Sequence, residues 1–237
     1  MPSTSFDFNS GSHPRTPQAV LWDMDGTLID TEPYWIAAEE ELVAAHGGQW
    51  SEEQGLSLVG SALPNSARVL QEAGVKLDVR QIIDLLSAQV IAGLKREIPW
   101  RPGARELLTA CNQAGIPQAL VTMSERSIVN ELLEQLPKDT FLTSVTGEEV
   151  SKGKPNPEPY LRGLELLGEA LDQSLDAEKC IGFEDSVPGI ASASAAGLHA
   201  VLIPNAIDPG DGNWRRVDSL ENVDVAEMTR WLVQVSA

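Results

Sequence analysis

The chain has 237 residues, 42% of them hydrophobic and 22% charged, a composition typical of a packed globular protein and not of a disordered one. Acidic residues outnumber basic ones by 35 to 17, and the net charge of −18 argues against binding to nucleic acid or to an anionic membrane surface. Cys111 and Cys180 lack the spacing of a metal site, so we expect two buried thiols. No apolar run is long enough to span a membrane, and no signal-peptide core precedes Ala19; we expect a soluble cytoplasmic protein.

The first 100 residues contain three segments of different composition. Residues 1–17 are rich in Ser, Pro, Asn and Gly without periodicity, which predicts a disordered lead. The apolar run 19–22 predicts a buried strand of the parallel type. From residue 32 to 100 the hydrophobic spacing becomes helical, and the sequence predicts an inserted all-helical cap there. Its predicted helices are 34–46, 52–59, 64–73 and 78–97.

The remainder alternates strands with helices. Strands are predicted at 118–122, 141–145, 180–183 and 200–203, and helices at 103–114, 125–136, 158–167, 187–196 and about 224–235. This alternation predicts an α/β fold with a doubly wound, Rossmann-like parallel sheet. We expect the core domain to comprise residues 18–31 and 101–237, with the cap at 32–100.

Polar side chains follow the predicted strands at the points where the strands end. They are Asp23, Asp25, Thr122, Ser124, Lys154, Glu184 and Asp185. Because ligands of open parallel sheets bind outside the carboxyl ends of the strands, we expect these residues to meet in one pocket.

The residue types in this set suit phosphoryl chemistry. Asp23, Asp25 and Asp185, with Glu184 beside them, offer the hard oxygen ligands that Mg²⁺ prefers, and without a cation they would repel one another. Lys154 and a threonine hydroxyl add donors for a phosphoryl group. A carboxylate nucleophile is consistent with this set, because aspartyl-phosphate is an established covalent intermediate.

Four segments in this order resemble the motifs of the haloacid dehalogenase-like superfamily in its phosphatase form. They are DMDGTLID at 23–30, VTMS at 121–124, KGKPNPEPY at 152–160 and GFEDSVPG at 182–189. The resemblance covers about residues 19–203. The helical insert after the first motif resembles the small cap of the beta-phosphoglucomutase-like group. The resemblance implies an enzyme of that fold with Mg²⁺ as its cofactor.

The resemblance also implies roles. Asp23 would be the nucleophile and a metal ligand, and Asp25 the general acid and base, with its backbone carbonyl on the metal. Lys154 would neutralise the transferring charge, Asp185 would bind Mg²⁺, and Glu184 would be a ligand or a partner of one.

A second group of residues is predicted to bind the substrate and its phosphate. Thr122 would hydrogen-bond the phosphoryl oxygens, and the backbone N–H groups after Asp23, beginning with Met24, would hold the phosphate. Met123 and Ser124 complete the predicted phosphate-binding set, and Glu32, at the start of the cap, would either face the substrate or pack within the cap.

Three functions remain open at this stage. The sequence favours a phosphatase of a small phosphorylated metabolite, a sugar or polyol phosphate, acting as a monomer or weak homodimer. A sugar phosphomutase would need a cation on the cap for a second phosphate, but the Gly-x-x-Arg-x-x-Ser pattern of beta-phosphoglucomutases is met at Gly60 and Ser66 with Leu63 in place of the arginine. Arg68 and Lys76 could substitute. A non-catalytic binding or regulatory module is the third possibility.

Overall fold

The computed structural model of the chain describes residues 16–59, 61–205 and 208–234. The predicted disordered lead, 1–17, lies outside the described residues except for its last two. Gly60, part of the pattern compared with phosphomutases, lies outside them as well.

In the described residues six parallel strands form one sheet in the order β3-β2-β1-β4-β5-β6. The strands are β1 (Ala19–Trp22), β2 (Gln118–Val121), β3 (Thr143–Val145), β4 (Cys180–Glu184), β5 (His199–Leu202) and β6 (Arg215–Arg216). All four residues of β1 are buried, which explains the continuous apolar run of a central parallel strand. The predicted fold class is confirmed. The sequence did not predict β6, because two arginines make no apolar run.

In the described part of the segment that follows β1, four α-helices precede α5 (Ala104–Gln113) and β2. They are α1 (Glu32–Ala45), α2 (Glu52–Leu56), α3 (Leu63–Glu72) and α4 (Val79–Arg96). Asp78 caps α4: its side chain accepts a hydrogen bond from the Gln81 backbone N–H at 2.9 Å, and the Asp78 backbone N–H donates to the side-chain oxygen of Gln81 at 3.1 Å. The predicted helix 52–59 is shorter than expected, because α2 ends at Leu56 and the chain turns there.

Five further helices follow in the described part of the chain. They are α5 (Ala104–Gln113), α6 (Arg126–Glu134), α7 (Glu158–Leu171), α8 (Val187–Ala195) and α9 (Val225–Gln234). Two apolar clusters cover the sheet, and Trp22 stacks on Phe183 in the larger one, with ring centroids 4.4 Å apart.

A third apolar cluster belongs to the inserted helices. It contains Leu42, Leu70, Ile82 and Leu86, and α4 packs against both α1 and α3. Cys111 and Cys180 are buried free thiols, as predicted. Among the described helices we find none with the length and hydropathy needed to cross a bilayer.

Candidate active site

The polar residues at the carboxyl ends of β1, β2 and β4 meet at a cavity of about 120 Å³ between the sheet and the inserted helices. β1 lies between β2 and β4, where the connections leave to opposite sides, and this is the place where open parallel sheets bind ligands. Eight of the residues predicted from the sequence line the cavity: Asp23, Asp25, Glu32, Thr122, Met123, Ser124, Lys154 and Asp185. The side chains of Met24 and Glu184 do not line it; both are fully buried.

Lys154 connects the acidic residues. Its ammonium lies 2.6 Å from Asp23 Oδ1 and 2.6 Å from Glu184 Oε1, and it donates to the carbonyl of Val121 at 2.9 Å. Burial lowers the pKa of Lys154, but the attraction of the two carboxylates outweighs burial and raises the pKa above its usual value. Lys154 is therefore a charged group with its three donors in use.

Glu184 is placed to hold Lys154. It is fully buried, and Oε1 also accepts a hydrogen bond from the Tyr160 hydroxyl at 2.6 Å. Burial and the charge of Asp23 raise the pKa of Glu184 to about 7, against the opposing effects of Lys154 and Tyr160. The chain passes close to this carboxylate at Gly189, where a Cβ atom would lie 1.8 Å from Oε2. Tyr160 was missing from the predicted set, although it lies within the third motif.

Three hydroxyls orient Asp25. Thr31 donates to Oδ1 at 2.5 Å, and Thr122 and Ser124 donate to Oδ2 at 3.2 and 2.7 Å. Burial nevertheless raises the pKa of Asp25, with a further contribution from Asp23. In this structure the Thr122 hydroxyl hydrogen-bonds Asp25, and the predicted hydrogen bond from Thr122 to a phosphoryl oxygen stays a prediction. Thr31 was not predicted, because a threonine at the start of a helix carries no distinctive signal.

Asp23, Glu184 and Asp185 are the acidic residues that fit a divalent cation. Each offers a carboxylate oxygen, and the three oxygens lie within 4.8 Å of one another. Asp23 Oδ2 is buried without a hydrogen-bond partner in the described structure, and burial, Asp23 and Glu184 raise the pKa of Asp185 well above its usual range. Because buried like charges repel, this donor set suits Mg²⁺.

Gly26 brings the first loop against the acidic group. Its φ is +85°, and a Cβ atom there would lie 2.0 Å from Asp185 Oδ2. Both the left-handed backbone and the close approach require glycine, which explains the Asp-x-Asp-Gly spacing in physical terms.

The inserted helices bring a second acidic pair to the cavity. Glu32 and Glu39 lie two turns apart on α1, and both line it. Burial raises the pKa of each carboxyl to about 7. The charges of Asp25 and Asp30 raise the pKa of Glu32 further. At Glu39 the hydrogen bond from Trp50 lowers the pKa, and the charge of Glu32 raises it. Glu39 was not predicted, because a glutamate in the run Glu39-Glu40-Glu41 resembles a solvated helix face.

Comparison with known proteins agrees with this geometry. The model of the haloacid dehalogenase-like hydrolase family matches residues 20–203. Protein CbbY of Rhodobacter capsulatus is 32% identical over 219 residues, covering 85% of this chain and 93% of that protein. The phosphorylated carbohydrates phosphatase of Thermotoga maritima is 30% identical, with 78% and 83% covered.

A solved structure matches in shape as well. A mutant of CbbY from Rhodobacter sphaeroides, crystallised in complex with xylulose-(1,5)bisphosphate, superposes with a TM-score of 0.77 and 25% identity, covering 90% of this chain and 99% of that one. The family model spans more than half of the chain, and the sequence relatives align over most of it. The chain therefore belongs to the haloacid dehalogenase-like hydrolases, and within that family it is a phosphatase.

Proposed function

We propose that this phosphatase requires Mg²⁺ and hydrolyses small phosphorylated sugars or polyols through an aspartyl-phosphate on Asp23. The observation that carries the proposal is the cluster of Asp23, Lys154 and Asp185 with Asp25 held beside it, at the floor of a small cavity. The name of the Thermotoga relative supports carbohydrate as the substrate class. In this proposal residues 18–31 and 101–237 form the catalytic core, and 32–100 form a cap over it.

In the first step Asp23 attacks the phosphorus atom of the ester. A bond forms between a carboxylate oxygen of Asp23 and phosphorus while the ester P–O bond breaks, and Asp25 gives its proton to the leaving oxygen. Lys154 holds Asp23 Oδ1 and thereby fixes the orientation of the attacking carboxylate. The hydroxyls of Thr31, Thr122 and Ser124 keep Asp25 in one orientation for this transfer.

In the second step Asp25 takes a proton from water, and the water oxygen attacks the phosphorus of the aspartyl-phosphate. The Asp23–phosphate bond breaks, inorganic phosphate leaves and Asp23 regains its charge. The ammonium of Lys154 offsets negative charge throughout. Asp23, Asp185 and the backbone carbonyl of Asp25 would hold Mg²⁺, which supplies charge stabilisation to the phosphoryl oxygens. Glu184, the third acidic residue of this group, would be a metal ligand or the partner of one, while its Oε1 holds Lys154 and Tyr160.

The phosphomutase alternative needs a cation on the inserted segment, and none of the described residues of that segment that line the cavity is basic. Arg68 is exposed and donates to Asn65, Lys76 is exposed, and neither lines the cavity. A second phosphate would lie against Leu63 and two carboxylates, which is unfavourable. The non-catalytic alternative conflicts with the phosphatase family membership and with a complete set of acid, base and cation.

The metal requirement is tested by phosphate release from a panel of sugar and polyol phosphates. We expect EDTA to abolish release and Mg²⁺ to restore it, because Asp23 and Asp185 repel without a cation. Asp23→Asn should remove activity, whereas Asp139→Asn, a matched change at an exposed position, should not. Full activity in metal-free buffer would contradict the proposal.

The covalent intermediate is tested with Asp25→Asn and p-nitrophenyl phosphate. This leaving group needs no proton, so the first step should proceed while the second, which needs a base, should stall. We expect a burst of about one p-nitrophenol per site and a protein heavier by one phosphoryl group in intact mass spectrometry. Asp23→Asn/Asp25→Asn is the control and should give neither; a burst in this control would assign the nucleophile elsewhere.

A further inference from the structure

The inserted segment brings acidic side chains to the cavity. The polar side chains that the inserted helices and their connections bring to the cavity include the carboxylates of Glu32 and Glu39 and the hydroxyls of Ser61 and Ser66. Among the described residues of this segment that line the cavity there is no lysine, arginine or histidine. The nearby cation, Lys154, is on the other side and is engaged by Asp23 and Glu184. The cavity therefore has a cation on the side of the sheet and carboxylates on the side of the inserted helices.

Glu39 is held in a fixed position. Its residue exposure is 4%, and Oε2 accepts a hydrogen bond from the Trp50 indole N–H at 3.2 Å. Helix α2 lies directly against it, since a Cβ atom on Gly55 would lie 3.4 Å from Oε2. No described residue donates to Oε1, and Glu39 lines the cavity. Oε1 is not one of the side-chain atoms that are buried without a partner, so it faces the space of the cavity, where a donor on a ligand can replace water.

We propose that Glu39 is a specificity-determining residue, which accepts a hydrogen bond from a hydroxyl or ammonium group on the part of the substrate that meets the inserted helices. This inference rests on the proposed function and narrows its substrate class. The preferred substrates are monophosphates with such a donor. Bisphosphates are disfavoured, because a second phosphate would face Glu39 and Glu32 without a cation. The bisphosphate bound to the CbbY mutant is thus not expected to be a good substrate here.

The experiment compares kcat/KM across matched esters for wild type, Glu39→Gln and Glu40→Gln. Glutamine keeps the size of Glu39 and an acceptor for Trp50 but removes the charge, and Glu40 carries the same change on the exposed face of α1. The esters are sorbitol 6-phosphate and propyl phosphate, which differ in hydroxyl donors, and fructose 6-phosphate and fructose 1,6-bisphosphate, which differ by one phosphate. Phosphate release is measured for each at saturating Mg²⁺ and at about pH 8.5, which is above the pKa of about 7 of Glu39, so that this carboxylate is ionised.

We expect wild type to prefer sorbitol 6-phosphate over propyl phosphate and fructose 6-phosphate over the bisphosphate. In Glu39→Gln both preferences should fall by about tenfold, because a charged acceptor and its repulsion are lost. In Glu40→Gln both should stay within about twofold of wild type. Adding glucosamine 6-phosphate and glucose 6-phosphate separates the donor types: a larger fall for the amino sugar indicates an ammonium partner, and equal falls indicate a hydroxyl.

Preferences that do not change in Glu39→Gln would overturn the inference, as would a wild-type enzyme that favours the bisphosphate. Glu39→Asp is the second variant; it retreats from the cavity but keeps its charge, so it should lose the preference for sorbitol 6-phosphate and retain the rejection of the bisphosphate. Thermal melting of each variant reports whether it is folded. If wild type released phosphate from none of the esters, the proposed function itself would fail, a different outcome from unchanged preferences.

Discussion

The ammonium of Lys154 lies between two buried carboxylates, those of Asp23 and Glu184, with a side-chain exposure of 5%. A buried ion pair adds little net stability when complete, because desolvation cancels much of the attraction. Removing one partner has a large effect, because the remaining charges stay buried without compensation. Lys154 therefore has a structural role in addition to the role proposed for it during phosphoryl transfer.

For Lys154→Met we expect loss of turnover and a free energy of unfolding lower by roughly 3–5 kcal/mol. Urea unfolding in EDTA measures the stability without a compensating cation. The matched control is Lys152→Met, an exposed lysine in the same loop, which should change stability by about 0.5 kcal/mol or less. Adding Glu184→Gln to Lys154→Met should recover part of the loss. Equal stabilities for Lys154→Met and wild type would show that the carboxylates need no cation.

Helices α4 and α6 connect the inserted segment to the sheet side of the molecule. Arg80 donates to both oxygens of Glu125 at 3.0 and 2.8 Å, and Lys95 lies 3.4 Å from Glu131. Glu125 directly follows Ser124, which lines the cavity. The Arg80–Glu125 ion pair therefore links α4 to the loop whose Ser124 hydroxyl orients Asp25.

We expect Arg80→Gln to leave the free energy of unfolding within about 1 kcal/mol of wild type, because Arg80 is half exposed. Its KM for a sugar phosphate should rise by about two- to fivefold, since weaker contact favours arrangements in which the cavity is open. Urea unfolding and steady-state phosphate release measure the two quantities. Arg162→Gln, which breaks an exposed pair with Glu165 within α7, is the control and should alter neither. A large loss of stability with unchanged KM would indicate a structural role instead.

Prediction from the sequence succeeded where burial alone determines the pattern. The runs at β1, β2, β4 and β5 are apolar because both faces of a central parallel strand are covered, and their predicted bounds lie within one residue of those observed. The polar residues after them then had to meet at one edge. The bond from Thr31 to Asp25 and the inward direction of Glu39 depend on how α1 packs on the sheet and on α2. Such packing depends on contacts between distant residues, which local periodicity does not encode.

At the scale of the whole molecule, the charge of −18 surrounds a site that is proposed to bind both an anionic ester and a cation. The field of the protein repels the ester and attracts Mg²⁺ before either reaches the cavity. Salt screens both effects, because the Debye length is about 10 Å at 0.1 M ionic strength. The local groups, with Lys154 buried among carboxylates, are screened much less. The two long-range effects have opposite signs, which makes them separable.

We expect kcat/KM for a sugar monophosphate, at saturating Mg²⁺, to rise by about two- to fivefold as ionic strength increases from about 0.02 to 0.3 M, because repulsion of the ester is screened. Over the same range the apparent KM for Mg²⁺ should also rise, because the attraction of the cation is screened. Steady-state phosphate release with sodium chloride measures both, and choline chloride at equal ionic strength is the control for specific ion effects. A fall of kcat/KM with salt, in both salts, would mean that local groups and not the overall charge govern the approach of the substrate.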